Sequence, residues 1–82
     1  MNKYETIANE VVKNIGGTEN IESATNCMTR LRFTLKNVSK VDVESLEKVK
    51  GVQGVVNKNG QFQVVIGSDV SHVCDEIKKP PR

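Results

Sequence analysis

With 82 residues, 27% of them charged and 37% hydrophobic, the chain has room for one domain around one core and none for a second. Twelve basic against ten acidic residues leave a net charge of +2, and two Phe, one Tyr and no Trp give neither the basic face nor the stacking aromatics of a nucleic-acid binder. No run approaches the roughly 20 apolar residues that span a bilayer, Cys27, Cys74 and the single His72 match no recognised metal-ligand spacing, and without a signal peptide the two thiols read as reduced.

Tyr4, Ile7, Ala8, Val11, Val12 and Ile15 recur at the spacing of an amphipathic helix. Gly16-Gly17 ends it, since glycine takes the left-handed conformation common at helix C-termini. Ile21 to Asn26 reads as a short strand that delivers the chain to Cys27. If it pairs antiparallel with a strand beginning near Thr29, then Cys27 and Met28 form a tight connection whose N–H groups are free to point at an anion. In that second strand the apolar Leu31, Phe33 and Leu35 alternate with Arg30, Arg32, Thr34 and Lys36, so both arginines share the uncovered face, about 6.6 Å apart.

Asn37 to Val41 is a connection, and Asp42 caps a short helix with Val43, Leu46 and Val49 on one face before Gly51 stops it. Val52, Val55 and Val56 form a strand interrupted by Gly54, which suggests a bulge or close packing. Asn59-Gly60 is a hairpin signal. The returning strand, Gln61 to Ile66, sets Phe62, Val64 and Ile66 on one face and Gln61, Gln63 and Val65 on the other. Gly67, Ser68 and Asp69 break the chain and cap a last helix with Val70, Val73, Cys74 and Ile77 as its stripe. Cys74 is thus a packing residue, and His72 lies off the stripe, so neither is assigned chemistry. Pro80-Pro81 prevents continuation and begins a linker over 80–82, leaving a domain over 1–79. The order αββαββα predicts an α+β fold, a four-stranded, mainly antiparallel sheet with three helices on one face and Arg30, Arg32 and Gln63 exposed on the other.

The chemistry concentrates in Cys27-Met28-Thr29-Arg30-Leu31-Arg32. The thiolate is the reactive form of cysteine, neighbouring arginines lower a thiol pKa, and guanidinium forks hold phosphate oxygens. A cysteine at a strand end is more often a small buried hydrophobe, and alternating arginines are more often a solvated face. A thiol, a hydroxyl and two arginines within six residues outweigh both readings and point to covalent capture of a phosphoryl group. A phosphatase loop would place an arginine six residues after the cysteine, where this chain has Phe33, and no general acid for water attack is evident nearby.

These residues resemble the CxTRLR signature of the cysteine-phosphorylated IIB domains of the bacterial sugar phosphotransferase system, glucose and sucrose superfamily. The resemblance extends over nearly the whole chain: Gly16-Gly17-Thr18-Glu19-Asn20-Ile21 is similar to the GGxxNI stretch, Ser39-Lys40-Val41-Asp42 to the segment before the middle helix, and Gln63-Val64-Val65-Ile66-Gly67 to the QxxxG strand end. It implies that Cys27 takes a phosphoryl group from phosphohistidine of a IIA domain and passes it to a sugar bound by a membrane IIC domain. Backbone N–H groups of Met28, Thr29 and Arg30 and the Thr29 hydroxyl would hold the oxygens, with Arg30 and Arg32 carried over as site residues and Gln63 matching the family glutamine four before the glycine. No cofactor is implied. The resemblance further implies a monomeric domain on the cytoplasmic side of the bacterial membrane, and the chain's layout leads us to expect a IIC domain after Arg82, with or without a IIA domain. The rivals are a non-catalytic regulatory module of the same fold, against which the intact Cys27, Thr29, Arg30 and Arg32 count, and a low-molecular-weight phosphatase or redox protein.

Overall fold

The computed structural model describes residues 2–58 and 61–79. The first helix, α1, covers Lys3–Asn14. Asn2 caps it, its side-chain oxygen accepting from the Glu5 N–H at 2.8 Å, and Ala8, Val11 and Ile15 bury the apolar stripe. At its end Gly16 and Gly17 take positive φ of 104° and 87°, the reversal that lets the Gly17 N–H donate to the Val12 carbonyl at 2.9 Å. A 3-10 turn over Thr18–Asn20 leads into β1, Ile21–Cys27, and β2 follows as Arg30–Leu35. After a second 3-10 turn at Val38–Lys40 come α2 at Val43–Glu47, β3 at Gly54–Lys58, β4 at Gln61–Val65 and α3 at Val70–Lys78.

The strands form one antiparallel sheet in the order β1-β2-β4-β3. The two central strands, β2 and β4, carry Leu31, Phe33, Phe62 and Val64 on the helix side, each with essentially no exposed surface. These pack with Ile15, Leu46, Val70, Val73 and Cys74 in a single core. Burying a side chain of this size stabilises by about 1.5–3 kcal/mol, so the sheet face turned to the helices is fixed and the register with it. Among the described residues the opposite face carries no helix. The αββαββα order and the one-sided α+β layering expected from periodicity are those observed.

Several local expectations change. Cys27 is the last residue of β1, paired with Arg30, so the connection is Met28-Thr29 and not Cys27-Met28. Val43 remains exposed on the short α2, which buries Leu46 instead. Gly54 opens β3 opposite Val65 with no shift of register, and a Cβ there would meet the Val65 side chain at an ordinary 4.0 Å, so neither a bulge nor close packing explains it. Asp69 holds the N-cap position of α3 without a side-chain hydrogen bond to it. Asn59-Gly60 and the linker at 80–82 lie outside the described residues, although the Lys58 to Gln61 pairing leaves the two-residue connection that the hairpin signal requires.

Candidate functional site

Register places the chemistry-bearing residues in rows across the open face, because cross-strand partners project to the same side. One row runs Cys27, Arg30, Val65, Gly54. The next runs Thr25, Arg32, Gln63, Val56. Cys27, Arg30, Arg32 and Gln63 are thus brought together on adjacent rungs at one end of the sheet. Cys27 is exposed and free. Cys74, also free, lies in the core on the helix side, where burial pushes its thiol pKa up by desolvating the thiolate. The sheet stands between the two thiols, and a disulfide joining them does not fit this fold.

Beyond Cys27 the chain reverses through Met28-Thr29. Met28 takes φ of 55°, a conformation that costs an L-residue about 1–2 kcal/mol. Its side chain is 88% exposed, a methionine held at the tip of the hairpin beside the thiol. The turn is pinned from behind: the Thr29 carbonyl accepts from the N–H groups of Ile66 and Gly67 at 2.8 and 3.0 Å. Gly67 itself has φ of 114°. With the Thr29 carbonyl held toward the β4–α3 junction, the N–H groups of Met28 and Thr29 donate to no other described residue. They remain available to an anion beside Cys27.

The two arginines are held differently. Arg30 is exposed, and its Nη1 donates to Oε1 of Gln63 at 2.9 Å. Arg32 is half-buried, and its Nε has no partner among the described residues. Among the described residues neither guanidinium pairs with a carboxylate; the ion pairs there are Glu44–Lys48 and Glu76–Lys79 on the helices. Two cations without a counter-ion beside an exposed thiol form an electropositive patch suited to an anion, and the free guanidinium N–H groups offer it charge-assisted hydrogen bonds.

Gln63 departs from the sequence expectation. It lies on the open face, yet it is only 5% exposed, because it sits on a central strand with Arg32 and Val56 directly across on either side. Its amide is satisfied at both ends, accepting from Arg30 and donating from Nε2 to Oε1 of Gln61 at 3.3 Å. Periodicity reports which face a residue occupies and not the height of its neighbours, which is why the burial was not foreseen. Asn20 was equally unassigned. It is 1% exposed, donates to the carbonyls of Ile15 and Asn37 at 2.7 and 3.0 Å and accepts from the Asn37 N–H at 2.9 Å. That bracket joins the end of α1 to the exit of β2, and the position of Asn20 in the GGxxNI-like stretch was its signal in the sequence.

Comparison with known proteins shows the family. The family model described as phosphotransferase system, EIIB, matches residues 9–42, which include the Cys27 hairpin. The chain is 48% identical over 80 residues to the trehalose-specific EIIBC component of Bacillus subtilis (strain 168), with 96% of this chain covered. It is 42% identical over 74 residues to the arbutin-, cellobiose-, and salicin-specific EIIBC component of Escherichia coli (strain K12), with 90% covered. The chain spans 17% and 15% of the length of these two relatives. A crystal structure of one domain of the PTS system IIabc component from Clostridium difficile superposes with a TM-score of 0.88 at 38% identity, covering 99% of this chain and 94% of that one. With both fold and sequence matched over a whole domain, the chain belongs to the phosphotransferase system EIIB family.

Proposed function

We propose that this chain relays a phosphoryl group through Cys27 within a sugar-specific phosphotransferase permease. The observation that carries the reading is the rung Cys27–Arg30 on the open face, a free exposed thiol beside a guanidinium whose hydrogen-bond partner is a neutral amide. In the loading step the Cys27 thiolate attacks the phosphorus of a phosphohistidine on a IIA domain. The S–P bond forms as the P–N bond breaks, and the electron pair returns to the imidazole. In the unloading step a sugar hydroxyl, bound in a membrane IIC domain, attacks the same phosphorus; the P–S bond breaks and the sugar proton passes to a base of that domain. Phosphoryl transfer asks mainly for in-line positioning and charge stabilisation. Met28 and Thr29 N–H groups, the Thr29 hydroxyl and the two arginines supply these, while the Arg30 N–H belongs to the Cys27–Arg30 strand pair, and Gln63 anchors Arg30.

The sugar meets Cys27 only through the phosphoryl group, so its identity is set in the membrane domain. Relatives named for trehalose, for arbutin, cellobiose and salicin, and for N-acetylmuramic acid are consistent with one relay serving several sugars. No described helix is long and apolar enough to cross a membrane, and residues 1–79 act as the IIB domain on the cytoplasmic side of the permease. The test is discharge. Chain labelled at Cys27 is mixed with membranes containing the IIC domain, and label must appear in sugar phosphate only when sugar is present. Release as inorganic phosphate regardless of sugar would favour a phosphatase, and retention of label in the presence of sugar and an active IIC domain would favour the regulatory-module reading.

A further inference from the structure

We propose that Gln61 is a positioning residue for transfer at Cys27, acting through Gln63 on Arg30; this rests on the phosphoryl-relay reading above. A guanidinium has donors and no acceptor, so the group of Gln63 that meets Arg30 Nη1 at 2.9 Å must be its oxygen. The Gln63 amide nitrogen is therefore turned the other way, and in a side chain only 5% exposed it needs a protein acceptor. Gln61 is two residues earlier on the same face of β4, and its Oε1 accepts that N–H at 3.3 Å. Flipping the Gln63 amide would set its NH2 against the Arg30 N–H and its oxygen against that of Gln61, so each bond enforces the other. Gln61, being less buried, can turn to present its oxygen and so acts as the outer stop of the chain Gln61–Gln63–Arg30. An amide anchor restrains the guanidinium without cancelling its charge, which a carboxylate in the same place would do.

The test uses Gln61→Leu, which keeps most of the side-chain volume and removes the acceptor. Two quantities are measured on the 82-residue chain: the rate of phosphoryl transfer to Cys27 from a phosphorylated IIA domain, and the ratio of Cys27 alkylation rates by iodoacetate and iodoacetamide. Both alkylating reagents require the thiolate, so their ratio cancels its abundance and reads the local preference for an anion with no phosphoryl donor present. Transfer should fall about fivefold to tenfold, the worth of one hydrogen bond, in the maximal rate and not in the donor concentration at half-saturation. The alkylation ratio should shift toward the neutral reagent. Adding Gln61→Leu to Gln63→Met should cause no further loss, since the pair acts in series; if Gln63→Met fails to fold, the single variant decides through both quantities. Unchanged transfer and an unchanged ratio in Gln61→Leu, or losses that multiply in the double variant, would overturn the proposal. If the unsubstituted chain takes no label at all, the relay reading fails by itself, and the alkylation ratio still decides whether Gln61 governs Arg30.

Discussion

At Arg32, directly across from Gln63 on the neighbouring strand, the structure sets a buried Nε that has no partner among the described residues. Leaving a donor unsatisfied costs about 1–3 kcal/mol, which is how a residue retained for chemistry and not for stability would look. Arg32→Met keeps the stem and removes the donor. We expect it to stabilise the domain by roughly 1 kcal/mol in thermal unfolding while lowering sugar phosphorylation; a variant both less stable and fully active would contradict this. Arg30→Lys should leave stability unchanged and reduce transfer at least about tenfold, because lysine cannot hold Gln63 and an anion through one planar fork; transfer assays with a saturating donor check it. The sequence alone announced both arginines through their alternation with Leu31 and Phe33. Their difference was hidden, because it depends on Gln63 and Thr25, which face them from other strands.

Among the elements, the hairpin Cys27–Arg30 is the one whose sequence contains no turn residue that accounts for it. A positive φ at Met28 is paid for by the pairing on either side and by the two bonds to the Thr29 carbonyl, none of which a local reading can see. The α1 terminus was legible as a glycine stop, but the reason for Gly16 in particular lies in space. A Cβ there would stand 2.7 Å from Nδ2 of Asn20, so Gly16→Ala should destabilise by about 2 kcal/mol or more through strain at positive φ and displacement of the buried amide. Chemical denaturation would show it as a lower midpoint. The cap of α2 carries a pH dependence. The Ser45 backbone N–H and then its hydroxyl, at 3.1 and 2.8 Å, hold the Asp42 carboxyl below its ordinary pKa. A depressed pKa in the folded state gives stability that is present above the unfolded value and is lost as pH falls through the folded one. The stability gap between the unsubstituted chain and Asp42→Ala should therefore be full at neutral pH and close in acid; a gap independent of pH would exclude the carboxylate as its source.

For the molecule as a whole, the Asn59-Gly60 hairpin signal was visible in the sequence and the first hairpin followed only if β1 and β2 paired, while the step that builds the site is the pairing of β2 with β4, a contact between residues about 30 positions apart. Periodicity sorted β2 and β4 into a helix-side and an open face, and the one-sided helix layer followed from three amphipathic stripes needing one sheet face. What it could not give was the order β1-β2-β4-β3, and with it the adjacency of Gln63 to Arg32 and the burial of Gln63. The same one-sidedness has a functional consequence: with every described helix behind the sheet, the end of the open face that carries Cys27 is accessible to large partners, as the proposed relay from a phosphohistidine to a membrane-bound sugar would require. The decisive measurement for the relay through Cys27 is to phosphorylate the chain with phosphoenolpyruvate, the general phosphotransferase proteins and a IIA domain, and to locate the phosphoryl group by mass spectrometry under conditions that preserve phosphocysteine. The expected result is one phosphoryl group, on Cys27, none on Cys74 or His72, and none at all in Cys27→Ser; full phosphorylation of Cys27→Ser, or a phosphoryl group on His72, would rule out the relay through Cys27.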